Sequence, residues 1–94
     1  MGLRFEWDRG KATANFEKHG VSFEEATTVF ADLLAMTISN PGHSETEERF
    51  LDLGLSHQGR LLVVSYTERE DQIRIICARL ASRVERRTYE TKGK

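Results

Sequence analysis

Leu3, Phe5 and Trp7 alternate with Arg4 and Glu6, and a period of two over so short a run predicts a strand. Asp8 stands where a helix N-cap would, and Gly20 where a helix would stop. Between them Ala12, Phe16 and His19 fall on one helical stripe, which makes Phe16 an expected core residue. Lys11, Asn15 and Lys18 form an adjoining polar stripe. Ser22-Phe23-Glu24-Glu25 is a capping box, with the Ser22 hydroxyl accepting from the Glu25 amide and the Glu25 carboxylate reaching back. Val21 and Ala26 are placed as its hydrophobic staple, and Phe23, Ala26 and Phe30 share the expected buried face.

Residues 33–39 read as a strand with Met36 and Ile38 on one side, and the turn formers and acids of 40–48 as a loop. Three strands follow closely: 50–56, with Leu51, Leu53 and Leu55 turned to the core, then 61–68 and 72–80. The connections at Gln58-Gly59 and at Arg69 to Asp71 are short, which favours antiparallel pairing. Ile73, Ile75, Ile76 and Ala78 occupy both parities of the last strand, so it is expected to be central and covered on both faces. Residues 82–90 close the chain as a basic helix capped by Ser82. The expected class is α+β, a small and mainly antiparallel sheet with two N-terminal helices and one C-terminal helix, in the order β-α-α-β-β-β-α.

Ninety-four residues make a single domain, 1–94, because independent domains take about 50–200 residues. Hydrophobic residues at 38% and charged residues at 31% argue for a soluble globular protein and against disorder. No apolar run approaches a membrane span, and the N-terminus lacks a signal peptide's apolar region, so no membrane association and a cytoplasmic location are expected. Cys77 is the one cysteine, which fits a reducing compartment and reads as a small core residue. The net charge of −1 speaks against a nucleic-acid binder until it is divided. Residues 1–56 carry five Lys/Arg and ten Asp/Glu, and 57–94 carry nine and five, so the second half could present a basic face to phosphate.

The sequence has no Gly-rich phosphate loop and no Gly-x-Ser-x-Gly elbow. His19, His43 and His57 have no ligand spacing, and Glu45, Glu47 and Glu48 read as solvated charge, so no metal or cofactor is expected. What remains suits RNA cleavage without a metal. That reaction needs a group to take the 2′-hydroxyl proton, one to protonate the leaving 5′-oxygen, and cations for the phosphoryl oxygens. Lys18 and His19 are candidates for proton transfer, although His19 could equally cap its helix. Arg74 and Arg79 are candidates for phosphate, and an arginine among isoleucines must either line a cleft or pair with a carboxylate such as Glu48. Arg83, Arg86 and Arg87 could bind RNA or form a solvated helix face, and Glu85, within six positions of Arg79, Arg83, Arg86 and Arg87, is expected to pair part of that charge.

Phe5-Glu6-Trp7-Asp8, Lys11, Ala14-Asn15 and the block Lys18-His19-Gly20-Val21-Ser22-Phe23-Glu24-Glu25-Ala26 resemble the opening of BrnT toxins. The resemblance runs on through Glu48-Arg49-Phe50, the Gly54 strand, Leu61-Leu62-Val63-Val64 and Arg74-Ile75-Ile76-Cys77-Ala78-Arg79 to Arg83, Glu85 and Tyr89. It implies a fold similar to RelE-type toxins, with helices on one side of the sheet, and metal-independent RNA cleavage that arrests growth. It also implies a BrnA-like antitoxin whose DNA-binding part represses the shared operon, in a complex of two chains each. The matching positions place the site at Lys18, His19, Glu48, Arg49, Arg74, Arg79 and Tyr89, with Lys11, Arg83, Arg86 and Arg87 as RNA contacts. Within that reading Glu48 is a second acid–base group or the carboxylate that orients an arginine. Cys77 stands where many relatives are expected to have a small residue such as serine. A non-catalytic interaction module, a degenerate toxin, is the alternative.

Overall fold

The structure, a computed structural model, describes residues 3–38 and 49–92. Strand β1 is Arg4–Glu6 and helix α1 Arg9–His19. The Asp8 carboxylate accepts from Lys11 N at 2.9 Å, and Gly20 closes the helix at φ 71°, donating its N–H to Phe16 O at 2.8 Å. Helix α2 is Phe23–Thr28, capped by the Ser22 hydroxyl, and a 3-10 turn, Val29–Ala31, follows it. Strands β2 (Met36–Ile38), β3 (Arg49–Leu55), β4 (Leu61–Arg69) and β5 (Gln72–Leu80) lead to helix α3, Arg83–Lys92.

The strands form one sheet in the order β1-β5-β4-β3-β2. This is α+β, with two corrections to the expected plan. The order β-α-α-β-β-β-α is one strand short. The sheet is also mixed rather than mainly antiparallel, because β1 runs parallel to β5. Short turns force β3, β4 and β5 into antiparallel neighbours, whereas no hairpin ties β1 to its partner, so nothing local sets its direction.

One sheet face carries the larger core. Leu62, Val64, Tyr66, Ile73, Ile75 and Ala78 meet Val21, Phe23, Ala26 and Val29 there, with Phe5, Trp7, Phe30 and Phe50 at its margin. Phe30 stacks edge-on to Tyr66 with ring centroids 5.0 Å apart. Gly54 lies under the chain after α2, where a Cβ would come 2.8 Å from Val29 and 2.9 Å from Ala35, so only glycine lets this connection pack down. The opposite face holds a smaller cluster, Leu53, Leu61 and Val63, covered by Met36, Leu51, Ala81 and Tyr89 of α3. Helices therefore cover both faces rather than one side.

Four local expectations give way. In α1, Asn15 is buried and Phe16 is 56% exposed, the reverse of the expected stripe. Asn15 lies where β5 has run past the end of β1. Its side chain donates to Ala78 O at 2.9 Å and accepts from Ala78 N at 3.1 Å, completing the ladder that β1 leaves open. The strand expected at 33–39 begins only at Met36, and Leu33 and Leu34 are exposed in a turn fixed by Asp32 Oδ1, which accepts from Leu34 N. Of the expected inward leucines of β3, Leu55 is exposed. The Glu25 carboxylate does not return to its helix end but binds Arg60 and Ser56 Oγ.

The doubled apolar parity of β5 has its own cause. Ser65 lies opposite Cys77 and Tyr66 opposite Ile75, which leaves Ile76 as the extra residue of a β-bulge. Ile73, Ile75 and Ala78 consequently all belong to the larger core on one face.

Candidate functional site

The bulge also decides where the strand arginines go. Arg74 and Arg79 are five positions apart, so an unbroken strand would turn them to opposite faces. With Ile76 looped out they share the face of Thr67, Ser65 and Val63, their partners or neighbours on β4. Arg49 of β3 lies opposite Thr67, Thr67 opposite Arg74, and Arg74 opposite Glu6 of β1, so one row across four strands carries two arginines. The next row holds Leu51, Ser65 and Cys77, and the one after it Leu53, Val63 and Arg79. Helix α3 lies over the last of these rows through Tyr89.

Arg74 and Arg79 each have a carboxylate beside them. Arg74 Nη1 is 3.6 Å from Glu6 Oε2, with both side chains about one-third exposed. Arg79 is held more firmly: Nη1 donates to Glu85 Oε1 at 2.8 Å and Nη2 to Oε2 at 2.9 Å. Those two bonds, with a third from Ser82 N at 2.8 Å, outweigh burial and pull the Glu85 carboxyl down to about 2. The partner expected for these arginines, Glu48, lies outside the described residues, as do His43, Glu45 and Glu47. Arg49 is exposed, and the buried Thr67 beside it has a hydroxyl with no hydrogen-bond partner among the described residues.

Tyr89 packs against the Leu53–Leu61–Val63 cluster and donates its hydroxyl to Asp32 Oδ2 at 2.6 Å. Burial, then the Asp32 carboxylate, push the phenol up to about 12. Asp32 also accepts from Leu55 N at 2.9 Å, so one carboxylate fastens α3 to β3 and to the turn before β2.

Lys18 and His19 stand apart from this face. They follow Asn15 by three and four positions, on the turn of α1 just past its contact with Ala78, Lys18 exposed and His19 half-buried. Among the described residues no hydrogen bond or ion pair joins either to Arg74 or Arg79. The side chains of Lys11, Arg83, Arg86 and Arg87 are exposed and make no ion pair among the described residues. Arg87, Thr88 and Thr91 line an open hollow of about 490 Å³ with Met36. Among the described residues no group of His, Cys, Asp and Glu could hold a metal ion, and no helix is long and apolar enough to cross a membrane.

Sequence reasoning missed Glu6, Thr67 and Asp32. Glu85, expected to pair part of the neighbouring positive charge, pairs with Arg79, and Ser82-Arg83-Val84-Glu85 also has the capping-box spacing, which the structure forms.

A family model described as the ribonuclease toxin, BrnT, of a type II toxin–antitoxin system matches residues 7–85. The fold is similar to the crystal structure of the Brucella abortus ribonuclease toxin BrnT, with a TM-score of 0.67 over 87% of this chain and 100% of that one at 20% identity. Among curated proteins, none matches the sequence. With the family model spanning most of the chain, this protein belongs to the BrnT family of ribonuclease toxins of type II toxin–antitoxin systems.

Proposed function

We propose that this toxin is an endoribonuclease that cuts RNA by attack of the ribose 2′-hydroxyl on the adjacent phosphate, with no metal ion. The observation that carries the reading is the bulge at Ile76, which gathers Arg74 and Arg79 on one sheet face with Arg49. Planar guanidinium forks on one surface suit a phosphodiester whose equatorial oxygens gain charge as the 2′-oxygen adds. Arg74 and Arg79 hold the phosphate and Arg49 adds charge beside Arg74. Lys18 or His19 takes part in the proton transfers, and Glu48 is a second acid–base group or the carboxylate that orients an arginine. Tyr89, whose hydroxyl donates a hydrogen bond to Asp32, serves the site by seating α3. Lys11, Arg83, Arg86 and Arg87 guide the RNA strand by charge.

The same reading gives the toxin a BrnA-like antitoxin, in a complex of two chains each, a cytoplasmic location and a likeness to RelE-type folds. The rival, a module that binds without cutting, is favoured by one observation: Arg74 and Arg79 are already ion-paired within the chain. One assay separates them. Purified toxin should cut RNA in excess chelator, leave DNA intact, and produce 2′,3′-cyclic or 3′-phosphate and 5′-hydroxyl ends. Loss of activity with chelator, or 5′-phosphate ends, refutes the mechanism, and an intact RNA substrate supports the rival.

A further inference from the structure

We propose that Glu85 is a positioning residue of this site, gripping one edge of the Arg79 guanidinium so that the other, Nε and Nη2, stands out as a fixed fork for a phosphodiester; this rests on the RNA-cleaving reading above. A guanidinium has five N–H donors in one plane. Three of Arg79's are committed: Nη1 to Glu85 Oε1 at 2.8 Å and to Leu80 O at 3.3 Å, and Nη2 to Glu85 Oε2 at 2.9 Å. Among the described residues the two left are Nε–H and the second Nη2–H. They lie side by side on the remaining edge, at the spacing of two phosphate oxygens. About a third of the side chain, 37%, remains open to solvent.

The carboxylate that does this is itself fixed. Glu85 Oε1 accepts from Ser82 N at 2.8 Å, and Glu85 N donates to Ser82 Oγ at 3.2 Å, so the group gripping Arg79 is also the acid of the α3 capping box. Arginine rotamer freedom that would be lost when RNA binds is thus removed beforehand. Glu85 takes the Nη1–Nη2 edge and leaves the Nε–Nη2 edge, so its grip and a phosphate need not compete for the same N–H groups. Arg74, with a single 3.6 Å contact to Glu6, has no comparable restraint.

The test compares wild type, Glu85→Gln and Ser22→Ala in RNA cleavage, and follows the Arg79 Nε–H signal by NMR with a 2′-O-methyl oligonucleotide that cannot be cut. Glu85→Gln should lower kcat roughly tenfold or more with KM within about threefold, because a loosened fork fails where charge develops. Ser22→Ala, which removes the cap of α2 away from the site, should lower Tm by a few degrees and leave kcat unchanged. In wild type the Arg79 Nε–H signal should shift on adding the oligonucleotide, and in Glu85→Gln it should broaden and respond weakly. Glu85→Gln as active as wild type, or Ser22→Ala losing kcat equally, overturns the positioning role. Should wild type cut no RNA, the ribonuclease reading fails alone, and the NMR arm still decides: an unmoved Nε–H in wild type overturns the fork.

Discussion

Replacing Arg60 with Met strands a carboxylate that water does not reach. The Glu25 side chain is 2% exposed, and Arg60 supplies two of its three side-chain hydrogen bonds, from Nε at 3.0 Å and from Nη2, with Ser56 Oγ the third at 2.7 Å. Nη2 also donates to Gly20 O at 3.1 Å, so the same guanidinium ties the end of α1 to the turn between β3 and β4. Removing one partner of a buried ion pair costs about 3–5 kcal/mol, because the other charge stays buried. Arg60 is itself 35% exposed, so water can enter the space it leaves, and Ser56 remains. The expected loss near neutral pH is therefore about 2–3 kcal/mol. The pH dependence has a definite sign. In wild type the Arg60 bonds hold the Glu25 carboxyl below its ordinary 4.5, so its contribution is complete above that value and lost as pH falls through the lowered one. In Arg60→Met the Arg60 bonds are gone while burial still raises the carboxyl and Ser56 still lowers it, so the value moves up and the variant should lose less stability than wild type as pH falls. Urea unfolding near neutral pH and at about pH 4 should show the gap narrowing on the acid side. Adding Glu25→Gln to Arg60→Met should recover part of the loss and remove this difference in pH dependence. A loss below about 0.5 kcal/mol, or parallel pH profiles, would refute the reasoning.

Phe16→Ala should cost under about 1 kcal/mol and Phe23→Ala about 3–5 kcal/mol, since Phe16 is 56% exposed and Phe23 fully buried; similar thermal shifts would mean that α1 packs on its other face. Arg79→Ala should abolish growth arrest while costing about 1–2 kcal/mol, because Glu85 keeps its Ser82 contacts, and Arg79→Lys should be impaired as well; a toxic, folded Arg79→Ala would move phosphate binding to Arg74. The Arg79–Glu85 pair contributes stability above about pH 4.5, the ordinary Glu value, and should lose it only as pH falls towards 2, a difference that Arg79→Ala should erase in acid unfolding. Deleting Ile76 should leave a folded protein at a cost of about 1–2 kcal/mol, with Arg74 and Arg79 still on one face, whereas collapse of the fold would show that the bulge shapes the sheet itself.

What the sequence made legible is what neighbours in the chain decide. Asp8, Gly20 and Ser22 were read as caps from their immediate surroundings, and each caps as expected. What it concealed depends on partners far along the chain. Asn15 looks like a surface residue because its reason for burial, the open edge of β5 at Ala78, lies 63 positions away. Phe16 then takes the exposed position that polarity had assigned to Asn15. Leu33 and Leu34 carry the apolar character of a strand, yet Asp32 bonds Leu34 N and Leu55 N and turns the chain there. The arginine partners divide the same way. Glu85 sits three residues after Ser82, where a local rule can find it, while Glu6 faces Arg74 only because β1 adds in parallel to β5.

The bulge joins these two kinds of information. With Ile76 set aside, β5 alternates without a break: Ile73, Ile75 and Ala78 on the core face, and Arg74, Cys77 and Arg79 on the other. Counted straight through, the same residues suggest a strand buried on both sides, and they separate the two arginines. The count was therefore right about each residue's chemistry and wrong about its company, which is what one extra residue does to a period of two. The consequence is functional as much as architectural. The phosphate-binding face proposed above would need no change in core composition, since the core keeps its apolar residues on one side while the arginines are moved together on the other. The backbone irregularity, with Glu6 and Glu85 beside the arginines, thus accounts for how so small a sheet can hold Arg74 and Arg79 on one face with each charge paired.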